Sequence, residues 1–293
     1  MPVAQLANAI YEYLNDFTCA GITPETTIDQ KLNILYNWPM PTNIPEGIHL
    51  EGITTAEQTI SLKYQCSNNL CYGVARWFVG TWGGIGYYKR NDRRLRFDNW
   101  ITRFQQPNIV QYPPFENCNN DDNGGGIASW SKVACIVNPD RFAIYDKRVA
   151  RSINSISMLM LGNDGLRLSE PIGSRNTLLC LSEIDFIRIT NVTPVINGQI
   201  HIDELLRPNG NLFLDHGDQQ ETFLRNRISP PVTDIVDNDL TYNTYLELLE
   251  NVSTRLFPND VNRLQKTEML LFVLADHKGL YIPVIKRLKG WVV

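Results

Sequence analysis

The stretch from Gly124 to Ala150 restricts the fold more than any other part of the chain. Three glycines, Gly124, Gly125 and Gly126, open it. Apolar residues then recur at helical spacing from about Ser129 to Val137. Asn138-Pro139-Asp140 has the composition of a turn. A brief extended piece, Phe142 to Tyr145, leads into a second helix that begins at Asp146, a residue type suited to capping a helix start. The pattern predicts a Gly-rich hairpin, a short helix, a turn and a second helix in close succession.

Helical spacing recurs elsewhere. Residues 4 to 15 carry Leu6, Ile10, Tyr13 and Leu14, and residues 26 to 37 show a similar pattern. Pro39 to Thr54 reads as loop. Helical periodicity returns by Leu70, runs through Val74, Trp77 and Phe78 to about Trp82, and stops at Gly83-Gly84. Pro107 to Gly126 is again loop. From 165 to 235 the character changes: Ile184 and Phe186 flank Asp185, and Ile187 and Ile189 flank Arg188, which suggests short strands or an irregular insert. Residues 241 to 256 (Tyr245, Leu248, Leu249, Val252) and 264 to 276 (Met269, Phe272, Val273) are helical in pattern. The expected fold is mainly α with a small irregular or β insert. Its segments are an N-terminal helical piece (1–55), a core carrying the hairpin (56–165), the insert (166–238) and C-terminal helices that complete the core (239–293).

The 293 residues suffice for a sizeable core. A net charge of −4 argues against indiscriminate coating of nucleic acid, but a local basic patch remains compatible with DNA binding. Met1 to Ile10 lacks the features of a signal peptide, and the longest apolar run, Met269 to Ala275, is too short to cross a bilayer, so a cytoplasmic protein is expected. Six cysteines include no C-x-x-C pair, and His201, His216 and His277 have no partnered spacing. No metal site and no cofactor is expected. No cysteine lies beyond Cys180, which leaves no ligands for a C-terminal iron–sulfur cluster.

Each candidate site residue admits a functional and a plain reading. A glycine run feeding a helix N-terminus can cradle phosphate through free backbone N–H groups, or be a simple loop. Lys132 is a reactive amine, a phosphate contact or a solvated helix residue. Asp146 caps a helix, and that role is compatible with chemistry, because backbone N–H groups favour the charged carboxylate. Lys89, Arg90, Arg93 and Arg94 lie in the most basic segment and suit phosphate contacts. The aromatics Tyr87, Tyr88 and Trp130 could stack on an extruded base or belong to the core.

The order of elements over 124–150, with Ser129-Trp130-Ser131-Lys132, the run from Asn138 to Asp146 and then Arg148-Val149, resembles helix–hairpin–helix DNA glycosylases, in particular the 8-oxoguanine-glycosylase-fold branch. Weaker likeness extends over Gly73 to Gly86 and over Glu268 to Phe272. The resemblance implies a two-lobed helical fold, a monomer bound to double-stranded DNA containing a modified base, and hydrolysis of the N-glycosidic bond of a flipped nucleotide. It assigns Asp146 the essential carboxylate and Lys132 the lyase amine. Gly124 to Gly126, Ser129, Ser131 and Arg148 become DNA contacts, and Trp130, Tyr145, Tyr87 and Tyr88 the base pocket or wedge. An oxidised purine and a hypermodified phage cytosine both remain open as substrate, in base-excision repair or in phage defence. The alternative is a non-catalytic DNA-binding module of the same fold.

Overall fold

Leu6, Ile10 and Leu14 recur every four residues and form the buried edge of the first helix, α1 (Pro2–Asp16). The computed structural model describes residues 2–50, 55–86, 88, 93–109, 111–115, 126–162, 165–171, 195–196, 199–200, 235–275, 277, 279–280 and 283. Two of the next helices, α2 (Ile28–Leu35) and α3 (Ala56–Asn68), start with the same reciprocal device. Thr27 accepts from the N–H of Gln30 while the Gln30 side chain accepts from the N–H of Thr27, and Thr55 and Gln58 repeat the arrangement. Next, α4 (Tyr72–Trp77) runs on into a single-turn π-helix, Phe78–Trp82. The run stops at Gly83, and Gly84 takes a φ of 70° that favours glycine.

Three helices follow: α5 (Arg94–Phe104), α6 (Ile127–Val137) and α7 (Lys147–Leu161). Four two-residue strands come next, β1 (Arg167–Leu168), β2 (Val195–Ile196), β3 (Gln199–Ile200) and β4 (Ile235–Val236). The helices α8 (Asn238–Leu256) and α9 (Arg263–Leu274) close the order. The fold is therefore mainly helical, as expected. Two helices go beyond the periodicity reading. α3 was not anticipated, and the basic stretch becomes helix from Arg94 onward because Phe97, Trp100 and Phe104 recur at spacings of three and four and are all buried.

α9 is the central helix, touching α2, α3, α7 and α8, while α1 lies across α7 and α8 and α6 is held between α3 and α5. One contiguous apolar cluster joins these elements. Among the described residues no helix is long and apolar enough to cross a membrane.

The link from α6 to α7 has no sheet partner, and side chains from three helices satisfy its backbone instead. Gln265 of α9 donates to the carbonyls of Pro139 (2.7 Å) and Phe142 (2.8 Å). From α8, Tyr242 donates to the Ala143 carbonyl and Tyr245 to that of Ile144, each at 2.8 Å. Ser131 of α6 accepts from the Tyr145 N–H at 3.0 Å and lies 3.2 Å from the Tyr145 carbonyl as donor. Every peptide just before Asp146 is thus held by a distant element, which fixes where that carboxylate begins α7. Replacing Ser131 with Ala strips a fully buried N–H of its partner. The expected loss is about 1–3 kcal/mol of stability, read from urea unfolding midpoints.

The described residues on either side of 172–234 lie next to each other. β1 pairs in parallel with β4, Arg167 opposite Ile235 and Leu168 opposite Val236. Asn154 of α7 brackets Leu168 with two hydrogen bonds of 2.9 Å, and Ser169 donates to the Val236 carbonyl at 2.8 Å. The other two strands, β2 and β3, form an antiparallel pair. The alternation noted at 184–189 lies outside the described residues.

Candidate active site

Asp146 divides its carboxylate between folding and a second task. Oδ1 accepts from the N–H of Arg148 at 2.9 Å and of Val149 at 3.2 Å, which satisfies the free donors at the start of α7. Oδ2 faces the Lys132 amine at 3.9 Å, an ion-pair contact longer than a hydrogen bond. The Asp146 side chain keeps 17% of its exposure against 6% for Lys132, so the carboxylate sits at the mouth and the amine deeper. Lys132 also donates to the Ala128 carbonyl one turn back, at 2.9 Å. Burial holds its amine below the ordinary lysine range, against the opposite pull of Asp146 and Glu268.

The stop at Gly83 makes room for that lysine. A Cβ on Gly83 would stand 2.7 Å from Cε of Lys132 and 2.9 Å from the carbonyl of Val79. The π-helix therefore delivers a residue without a side chain where the lysine stem passes, a common use of such local widening.

Both residues line a cavity that also touches Trp38, Trp82, Phe272 and Tyr36. The open space measures about 20 Å³, room for one water molecule. Its aromatic wall is continuous. The ring centroids of Trp38 and Phe272 are 5.1 Å apart, those of Trp38 and Trp82 are 5.8 Å apart, and Trp82 stacks on Phe78 at 4.3 Å. The guanidinium of Arg148 covers the outer pair, 4.8 Å from the Phe272 ring centre and 5.7 Å from that of Trp38. The indole N–H of Trp82 is buried and has no partner among the described residues.

A second ion pair reaches the same cavity. Lys63 of α3 and Glu268 of α9 meet at 2.5 Å, with 1% and 4% of their side chains exposed. Lys63 also donates to Gln265, and Cys135 of α6 lies 3.5 Å from that amide oxygen. Burial works to lower the Lys63 pKa, but the neighbouring Cys135 and the Glu268 carboxylate outweigh it and hold the amine above the ordinary lysine range. Burial raises the Glu268 carboxyl despite the lysine beside it and pushes the Cys135 thiol up to about 11.

Of the residues singled out in the sequence, the structure brings Asp146 and Lys132 together and sets Arg148 on the cavity's aromatic rim. Several others have work inside the fold. Ser131 is fully buried and serves Tyr145. Tyr145 is itself buried and donates to the Ser169 carbonyl at 2.6 Å. Trp130 stacks on Tyr112 and donates to the Pro114 carbonyl at 2.9 Å. Tyr88 packs on Phe97 and Trp100, and its carbonyl accepts from Arg76 at 3.0 Å. Ser129 is buried in the first turn of α6, and Gly126 caps that helix in an extended conformation. Arg93 precedes α5, and Arg94 is exposed, 3.6 Å from Asp98. Gly124, Gly125, Tyr87, Lys89 and Arg90 lie outside the described residues.

The sequence reading missed Lys63, Trp38 and Tyr36. It placed Trp82 and Phe272 in helical patterns and, with Glu268, in the weaker stretches of the resemblance, without giving any of the three a role at the site. Lys63 carried a signal: it shares its helix face with the buried Thr59, Ile60 and Cys66, so a lysine stands on an apolar stripe. Among the described residues no group of three or more His, Cys, Asp or Glu side chains could hold a metal ion. No protein-family model, no curated protein and no solved structure matches this chain.

Proposed function

We propose that the chain is a DNA glycosylase with a helix–hairpin–helix type of two-lobed helical fold, releasing a modified base from a nucleotide swung out of duplex DNA. The observation that carries this reading is a single carboxylate, Asp146, anchored on a helix N-terminus and facing a buried lysine amine at the edge of an aromatic-walled cavity. A carboxylate fixed in this way suits positive charge growing on a deoxyribose. The bond from C1′ to the base nitrogen breaks, and its electron pair leaves with the base. Asp146 stabilises the sugar cation. Water, or the lone pair of the Lys132 amine, then bonds to C1′, and the proton that the attacking group gives up ends on the nitrogen of the departed base.

The aromatic wall offers stacking to a planar base. One oxygen of Glu268 is held by Lys63, and the carboxylate carries a second. Together with the unpartnered Trp82 N–H it gives a base one acceptor and one donor. A base is far larger than the present space, so binding requires Trp38, Phe272 and the overlying Arg148 to move apart. Oxidised purines and hypermodified cytosines both fit this chemistry, which would place the protein in repair or in phage defence.

The test is incubation with a panel of modified duplexes and genomic DNAs, with released bases identified by mass spectrometry. Borohydride then reports whether Lys132 forms a covalent adduct. Because burial lowers the Lys132 pKa, the amine loses its proton at lower pH than a free lysine. Trapping is expected to rise with pH to a midpoint below the ordinary lysine range. A profile centred at the free-lysine value would remove Lys132 from the nucleophile's role.

A non-catalytic DNA-binding module is favoured by one observation, the closure of the cavity down to about 20 Å³. Binding of duplex DNA without release of any base from the panel would establish that reading.

A further inference from the structure

Four charged side chains line one small cavity, and the proposed bond breaking and bond making use only two of them. Asp146 faces the Lys132 amine from the start of α7, at 3.9 Å. Glu268 reaches the same cavity from α9, and its charge is felt at Lys132. Cys135, on the lysine's own helix, and Arg148 of α7 act on the amine as well, the first raising and the second lowering its pKa. Tyr36, at the end of α2, completes the wall. Left alone, Glu268 would be a second carboxylate within reach of Lys132.

Lys63 prevents this. It enters from α3 with its side chain 1% exposed, meets one Glu268 oxygen at 2.5 Å and is itself anchored by Gln265. Gln265 in turn holds Pro139 and Phe142 in the link that ends at Asp146. We infer that Lys63 is a positioning residue for the Lys132 amine: by clamping Glu268 it keeps that carboxylate from turning toward Lys132, and Asp146 remains the anion that faces the amine. The inference rests on the role given to Lys132 above. In that role the amine needs its lone pair, and a second unneutralised carboxylate would hold it protonated.

The consequence can be read without DNA. Lysine labelled with ¹³C at Cε reports protonation by its chemical shift, and the Lys132 signal is identified by its loss in Lys132→Arg. In Lys63→Met the freed carboxylate turns to Lys132, and its titration midpoint rises by about one unit or more, the usual effect of an anion brought within ~4–6 Å. Adding Glu268→Gln to that variant brings the midpoint back down to that of Glu268→Gln alone. A midpoint that stays put in Lys63→Met overturns the inference. So does a midpoint that stays high in the double variant, because loss of the Lys63 charge would then be the whole cause.

Should Lys63→Met fail to fold, the nearly isosteric Glu268→Gln decides by itself. With Lys63 clamping the carboxylate away from the amine, its loss lowers the Lys132 midpoint only slightly, by well under one unit. A fall of about one unit or more would show Glu268 already turned to the amine as Asp146 is and overturn the inference. Failure of any of these titrations leaves the base-release and trapping results standing, and failure of base release leaves the titrations interpretable.

Discussion

Asp146→Asn is expected to lower base release on the order of 10²–10³-fold while leaving the fold in place. The two halves of that expectation come from the two oxygens. Asparagine is as good a helix cap as aspartate, so its amide oxygen can keep the N–H groups of Arg148 and Val149. The charge facing Lys132 is lost, and with it the stabilisation of a sugar cation. Asp146→Ala separates the roles from the other side, since it should also cost about 1 kcal/mol of stability through the missing cap. The measurements are single-turnover base release and urea unfolding for both variants, with duplex binding as a control. Full release by Asp146→Asn would remove the proposed mechanism.

The largest effect on stability is expected at the second ion pair. Lys63 and Glu268 are both almost wholly buried, so removing one partner leaves an uncompensated charge in the interior. Glu268→Ala should destabilise the protein by about 3–5 kcal/mol. Replacing both at once, Lys63→Met with Glu268→Leu, exchanges the pair for apolar side chains and should recover most of that loss, because burying two ions is itself costly. Chemical unfolding of the single and double variants gives the answer. A double variant no more stable than the single one would mean that Gln265, which Lys63 also serves, depends on the lysine for its grip on Pro139 and Phe142.

How much of this was visible in the sequence varied with the range of the forces involved. Local signals did well. Asp146 begins α7, Gly83-Gly84 ends the helical run from Tyr72, and the α6 periodicity marks its span to within two residues at its start. The Thr55-x-x-Gln58 capping box is equally local and marks the start of α3, and with it the helix whose buried face carries the lysine. The pairing of Lys63 with Glu268 is a different matter. The two are 205 positions apart, and an isolated glutamate on an amphipathic helix carries no mark of its partner. The same holds for the aromatics. Trp130, Tyr145 and Tyr88 were conspicuous beside the motif, but their neighbours in space turn them into the core, whereas Trp38 and Phe272 line the cavity from loops and helices far along the chain. Residue type identified where chemistry could occur, and only packing decided which rings face it.

A carboxylate that both starts a helix and faces an amine has an evolutionary consequence. Selection for folding alone would keep an acidic or amide residue at position 146 in any descendant that had given up base release, so persistence of that residue says little about retained activity. Position 132 tells more. An amine held there with 6% of its side chain exposed is a burden on stability that folding gives no reason to maintain. A lineage released from the chemistry should drift toward leucine or methionine at 132 long before it alters 146.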